Sequence, residues 1–148
     1  MADFLPERED GESVPDYNKR CAVILKAKQE YWAKVLRVQD WDIKSTIISR
    51  EEMHHELERD GCVGFCTRDR THKEAYIALL VDKSSEDDFV HEMLHIVLDD
   101  VQARAYNAFE SVESRAVREA LERELKESLE RTINMLSGAL LKARDGAI

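Results

Sequence analysis

The pentad His91-Glu92-Met93-Leu94-His95 constrains this chain more than any other stretch of it. Residues four apart on an α-helix share one face, so His91 and His95 can present imidazole nitrogens to a single metal ion. Glu92 projects beside them, where it can take a proton from a water held by that metal. A chain with 5 histidines and many glutamates can produce the pentad by chance, so its surroundings must support it. They do. Ser85 is a good N-cap, Asp88 three residues on makes a capping-box-like pair, and Glu86 and Asp87 suit the positive end of the helix dipole. Phe89, Val90, Met93, Leu94, Ile96, Val97 and Leu98 then leave almost no polar face except His91, Glu92 and His95. A helix apolar all round is a core helix. Polar groups buried in it need partners, and one zinc ion is the simplest partner that satisfies all three. The blander alternative is a core helix whose histidines are merely hydrogen-bonded.

Length and composition bound the rest. A chain of 148 residues is expected to form one domain with a sizeable core. A formal net charge of −9 argues against a nucleic-acid or anionic-membrane partner. No segment approaches the ~20 apolar residues of a membrane span, and the acidic N-terminus has neither the basic nor the apolar region of a signal peptide. Three cysteines fit a reducing compartment better than a disulfide framework. A soluble, cytoplasmic protein is expected.

Residues 1–14 are acidic, carry Pro6 and Gly11, and are expected to be a disordered tail ahead of a single domain over 15–148. From Asp16 to about Val38, Cys21, Ile24, Leu25, Tyr31, Trp32, Val35 and Leu36 follow helical spacing. Trp41 to Ile48 reads as a first strand, Arg50 to Arg59 as a short helix or loop, and Cys62 to Thr67 and Ala75 to Val81 as two strands joined by a polar hairpin turn. The motif helix is placed at 85–98. After Asp99-Asp100 a proline-free helical tract runs from about Ala105 to Ala143. At 1.5 Å per residue it would span roughly 50 Å, longer than the ~30 Å of a domain this size, so it must bend, break or project. Its charge-dense middle, Arg118 to Arg131, is the expected projecting part; a solvated face there outweighs pairing with a partner helix, although self-association through this helix stays open.

Helix, strands, motif helix and final helix make an α+β chain in the order of the smallest zinc metallopeptidases, the minimal zincins. In that architecture the last strand before the motif helix lies at the sheet edge and receives an extended peptide, a role that would fall to Ala75–Val81.

A catalytic zinc needs three protein ligands and one open position. The metzincin continuation would require Gly at 98 and His at 101, where the chain has Leu98 and Val101, and Asp99 and Asp100 fall off the spacing of its aspartate variant. A glutamate on the following helix remains. Of several there, Glu113 shares the apolar stripe with Val117 and Leu121, and Glu130 lies one turn before Ile133-Asn134; about 25 Å would separate them on an unbroken helix, so only one can serve.

Glu130-Arg131-Thr132-Ile133-Asn134-Met135-Leu136-Ser137-Gly138-Ala139-Leu140-Leu141 resembles the E-x-x-A-N-x-F-A-x-x-L-L stretch of ImmA/IrrE-type metallopeptidases. Trp41-Asp42-Ile43, the glycine-bearing and hydrophobic strands and Val90–His95 are also similar to small phage-encoded metallopeptidases. The resemblance spans roughly residues 30–141, departs from the family at Ile133 and in the length of the linker after His95, and implies Glu130 as the third zinc ligand. It further implies a gluzincin-type endopeptidase acting on a protein or peptide substrate, with His91, His95 and Glu130 holding Zn²⁺ and Glu92 as general base. Tyr106, Tyr76 and His72 are candidate oxyanion donors; Asp99 and Asp100 are candidates to orient an imidazole, for which exposed helix-end carboxylates are the simpler account. His54-His55 with Cys62 and Cys66 form a weaker candidate second zinc site, for which buried thiols are the simpler account. Two alternatives use the same residues: a non-catalytic, zinc-stabilised interaction module, and a hydrolase of non-peptide amides.

Overall fold

The computed structural model describes residues 4–57 (side chains to residue 53), 63–81 and 83–146. Among them the chain forms α1 (Val14–Val35), β1 (Asp42–Ile48), α2 (Arg50–Leu57), β2 (Gly64–Asp69), β3 (Glu74–Leu80), α3 (Glu86–Val97), α4 (Asp99–Glu110) and α5 (Arg115–Arg144). This is the α+β layout expected: an N-terminal helix, a small three-stranded sheet, the motif helix and a long C-terminal helix.

Helix α1 starts where Ser13 accepts a hydrogen bond from the Asp16 N–H, with Pro15 in the first turn, and buries Cys21, Leu25 and Trp32. It ends earlier than its apolar spacing suggests, because Arg37 turns left-handed (φ 58°) and the Val38 N–H donates to the Ala33 carbonyl at 2.9 Å. That bond closes a Schellman cap without the usual glycine.

The sheet order is β1-β3-β2, with β1 parallel and β2 antiparallel to β3. The strand preceding the motif helix is therefore central, which corrects the expectation that it forms an edge. The reason lies in its side chains: Ala75, Ile77, Ala78, Leu79 and Leu80 are all buried, and a strand apolar on both faces belongs inside a sheet. The open edge beside α3 is β2, whose free flank carries the polar Thr67, Arg68 and Asp69.

Helix α3 lies between the sheet and α5. Phe89, Val90, Met93, Leu94 and Ile96 join Leu25, Trp32, Ile77, Leu79 and Ile133 in one core. Its N-terminus is tied to both ends of the chain. The Glu86 carboxylate accepts from Trp32 Nε1 at 2.8 Å, from Lys28 Nζ at 2.9 Å and from Arg144.

The long C-terminal tract breaks. Helix α4 begins at Asp99, earlier than expected, and Ser111 caps its end before Ser114 caps α5 by accepting from the Val117 N–H. No residue from Val97 to Thr132 is buried, whereas Ile133 and Ser137 in the second half of α5 are fully enclosed. The N-terminal segment also differs from expectation. From Phe4 onward it lies against the body: Phe4 stacks on Phe89 at 6.0 Å between centroids, Leu5 is buried, and Arg20 donates to the Glu7 carbonyl at 2.9 Å. Two apolar side chains and a half-buried guanidinium partner outweigh the acidic composition that suggested a tail.

Candidate metal centre

The capping box expected from the sequence forms at the head of α3. Ser85 Oγ accepts from the Asp88 N–H and Asp88 Oδ2 accepts from the Ser85 N–H, at 3.2 and 2.7 Å. This fixes the helix so that His91 and His95 emerge one turn apart on the face turned to α5, their ring centroids 5.0 Å apart.

On that face they meet Glu130. His91 Nε2 is 3.3 Å from one carboxylate oxygen and His95 Nε2 is 3.6 Å from the other, and one ligand atom of each residue lies within 4.8 Å of the other two. Glu113 sits in the exposed break before α5 and takes no part. A distal partner orients the first ring: His91 Nδ1 donates to Asn134 Oδ1 at 2.9 Å, which leaves the Nε2 lone pair directed at the shared point. Asn134 follows Glu130 by one helical turn, so one face of α5 supplies both the carboxylate and the group that orients its neighbour. Sequence reasoning assigned no role to Asn134. The available signal was an asparagine on an apolar stripe four residues after a glutamate.

Asp99 and Asp100, candidates to orient an imidazole, pair with arginines instead. Asp99 accepts from Arg68 Nε at 2.9 Å, and Asp100 accepts from Arg70 and Arg104. Both point back to β2 or along α4 because α4 starts immediately after α3 and turns these carboxylates away from the imidazoles.

Burial sets the protonation of the centre. It holds His95 near a pKa of about 4, helped by the Arg68 and His91 charges, so its imidazole is neutral and free to ligate. Glu92 is 8% exposed, and burial pushes its carboxyl up to about 7. The Glu130 and Asp88 carboxylates add to that rise and Arg68 opposes it. A carboxyl near 7 is matched to proton transfer at neutral pH, and a bound cation would draw it down again.

These residues floor a groove of about 660 Å³ walled by β2 on one side and by α4 and α5 on the other. The β2 backbone comes close because residue 64 is glycine. A Cβ there would stand 2.9 Å from Leu79 Cδ2 and 3.4 Å from Glu92 Cγ. Of the three candidate oxyanion donors only Tyr106 lines the groove; His72 is held in the β2–β3 turn by Asp69 at 2.8 Å, and Tyr76 lies on the neighbouring strand against Phe65. A larger cleft of about 1640 Å³, between the N-terminal segment and the end of α5, contains none of His91, Glu92, His95 and Glu130.

For the weaker second cluster, Cys62 and the side chains of His54 and His55 lie outside the described residues. Cys66 lines the groove, its thiol pushed up to about 12 by burial and thus kept protonated.

Comparisons with protein-family models, with curated proteins and with solved structures gave no match. What the centre does has to follow from its own geometry.

Proposed function

We propose that this chain is a zinc-dependent endopeptidase, with His91, His95 and Glu130 as the metal ligands and Glu92 as the general base. The observation that carries the reading is the convergence of two imidazole Nε2 atoms and one carboxylate, beside a buried glutamate, in a groove bordered by an open strand edge. Two ligands at 2.0–2.1 Å from a tetrahedral zinc stand about 3.3–3.4 Å apart. The His91–Glu130 and His95–Glu130 separations of 3.3 and 3.6 Å, each to a different oxygen of the carboxylate, are close to that spacing. The donor set, two imidazole nitrogens and one carboxylate, is that of a catalytic rather than a closed structural site.

Zinc held there by His91, His95 and Glu130 would supply the Lewis acidity that makes water a nucleophile near neutral pH. Glu92 takes the proton of the attacking water and returns it to the departing amine. Tyr106, the candidate donor that faces the groove, offers its O–H to the charge that develops on the carbonyl oxygen. Asn134 holds the His91 ring, and β2 offers its free edge to an extended peptide by main-chain hydrogen bonding.

Protein purified without chelator or added metal should contain close to one zinc per chain by elemental mass spectrometry. Glu130→Gln should lose it while Glu113→Gln keeps it. Glu92→Gln should keep zinc and lower peptide hydrolysis by about 10²–10⁴-fold. Zinc-loaded Glu92→Gln protein that cleaves as well as the parent chain would defeat the peptidase reading and favour a zinc-stabilised interaction module.

A further inference from the structure

The groove is not symmetric in charge, and its polarity follows from which residues meet. On α3, Asp88 marks the N-terminal end, where it is engaged in the capping box, and His95 is the groove residue nearest the start of α4. On α5, Asn134 meets His91 and Glu130 meets both histidines, so Lys126, one turn earlier, lies past His95 toward α4. On β2, Gly64 stands against Glu92 and Arg68 reaches Asp99 and Gln102 of α4. Arg68 and Lys126 therefore line the same end of the groove from opposite walls, and the carboxylate at that end, Asp99, lies behind Arg68 and is ion-paired with its Nε at 2.9 Å.

Arg68 is built into place. Its side chain is 17% exposed, Nε donates to Asp99 at 2.9 Å and Nη2 to Gln102 at 3.3 Å. Both acceptors are on α4, so they fix the guanidinium while the rest of its five donors are left to Cys66 and the groove. Its charge is close enough to Glu92 and His95 to lower the pKa of each. Lys126 is exposed and has no ion-pair partner among the described residues.

We propose that this end of the groove is a carboxylate subsite, in which Arg68, seconded by Lys126, receives an aspartate or glutamate side chain of the bound peptide. The inference rests on the peptidase reading and names its substrate class: peptides with an acidic residue on one side of the cleaved bond. Gly64 to Arg68 spans roughly 13 Å of strand, which puts that residue within about four positions of the bond. The planar fork of Arg68 matches a carboxylate, and a charge-assisted hydrogen bond made there discriminates against the neutral amide.

The test is binding to the zinc-loaded protein of two series of short peptide hydroxamates, one with the zinc-binding group at the C-terminus and one at the N-terminus. Each position carries Glu in one member and Gln in its pair. At one position of one series Glu should bind about tenfold more tightly than Gln, a difference that corresponds to one charge-assisted contact. Arg68→Gln should abolish the preference with zinc content unchanged. Lys126→Gln, on an exposed position, should cut it about threefold, and it carries the test if Arg68→Gln does not fold. Equal binding of Glu and Gln members at every position, or an undiminished tenfold preference in both Lys126→Gln and Arg68→Gln, or in Lys126→Gln alone where Arg68→Gln does not fold, overturns the subsite and leaves the peptidase reading standing. Zinc-loaded protein that binds neither series has no open position at the metal, and both readings fall.

Discussion

The two walls of the groove are made differently. The motif helix α3 is part of the core, with Phe89, Val90 and Met93 at 0% exposure, whereas the facing wall of α4 and the first half of α5 has no buried side chain at all. A metal held between them joins a rigid element to one that packs lightly. The boundary falls inside α5: Glu130 stands one turn before Ile133, the first enclosed residue of that helix. Glu130, the proposed third ligand, is thus anchored from its C-terminal side, and the arm that precedes it can differ in order without moving the histidines.

That contrast can be broken by mutation. Ile133→Ala removes a fully buried side chain where α5 enters the core and should cost about 2–5 kcal/mol in denaturant unfolding, against less than about 1 kcal/mol for Leu121→Ala in the arm. Equal losses would mean that the arm belongs to the cooperative core after all.

Next in size is the hub that ties α3 to both ends of the chain. Burial alone would raise the Glu86 pKa, but hydrogen bonds from Arg144, Lys28 and Trp32 outweigh it and hold the carboxyl below its ordinary range. A carboxyl with a depressed folded pKa stabilises the fold above its unfolded value, here 4.5, and that contribution is lost as pH falls through the lower folded value. Glu86→Gln should therefore cost about 1–3 kcal/mol at neutral pH, and its deficit should close on acidification below the unfolded value. A deficit that stays constant down through that range would show that the charge is not what the hub uses.

The finest test separates positioning from packing. Asn134→Ala should weaken zinc binding by about 10- to 100-fold while the metal-free protein unfolds nearly as before. An unchanged zinc affinity would remove Asn134 from the centre and leave His91 oriented by the helix alone.

Much of the centre was legible in the residues themselves. The spacing of His91 and His95, the Ser85–Asp88 box and the apolar flanks are local facts, decided within a few helical turns by hydrogen bonds and side-chain periodicity. The central position of β3 was also legible, since Ala75 to Val81 is an unbroken apolar run. Placing it at an edge followed an architectural expectation against its own pattern. The partners of Asp99 and Asp100 were not legible, because a carboxylate at a helix start can face any neighbour until the turn between α3 and α4 is known.

The sequence by itself determined that one helix would carry two imidazoles one turn apart and a glutamate on a buried segment, because periodicity and capping act over short range. Only the tertiary structure decided which glutamate meets them. Glu130 follows His95 by 35 positions, and it is the break at 111–114 and the seating of Ile133 in the core that return it to within 3.6 Å of that imidazole. The same return sets Lys126 opposite Arg68. Pairings of that range depend on how several helices pack at once, and no local pattern encodes them.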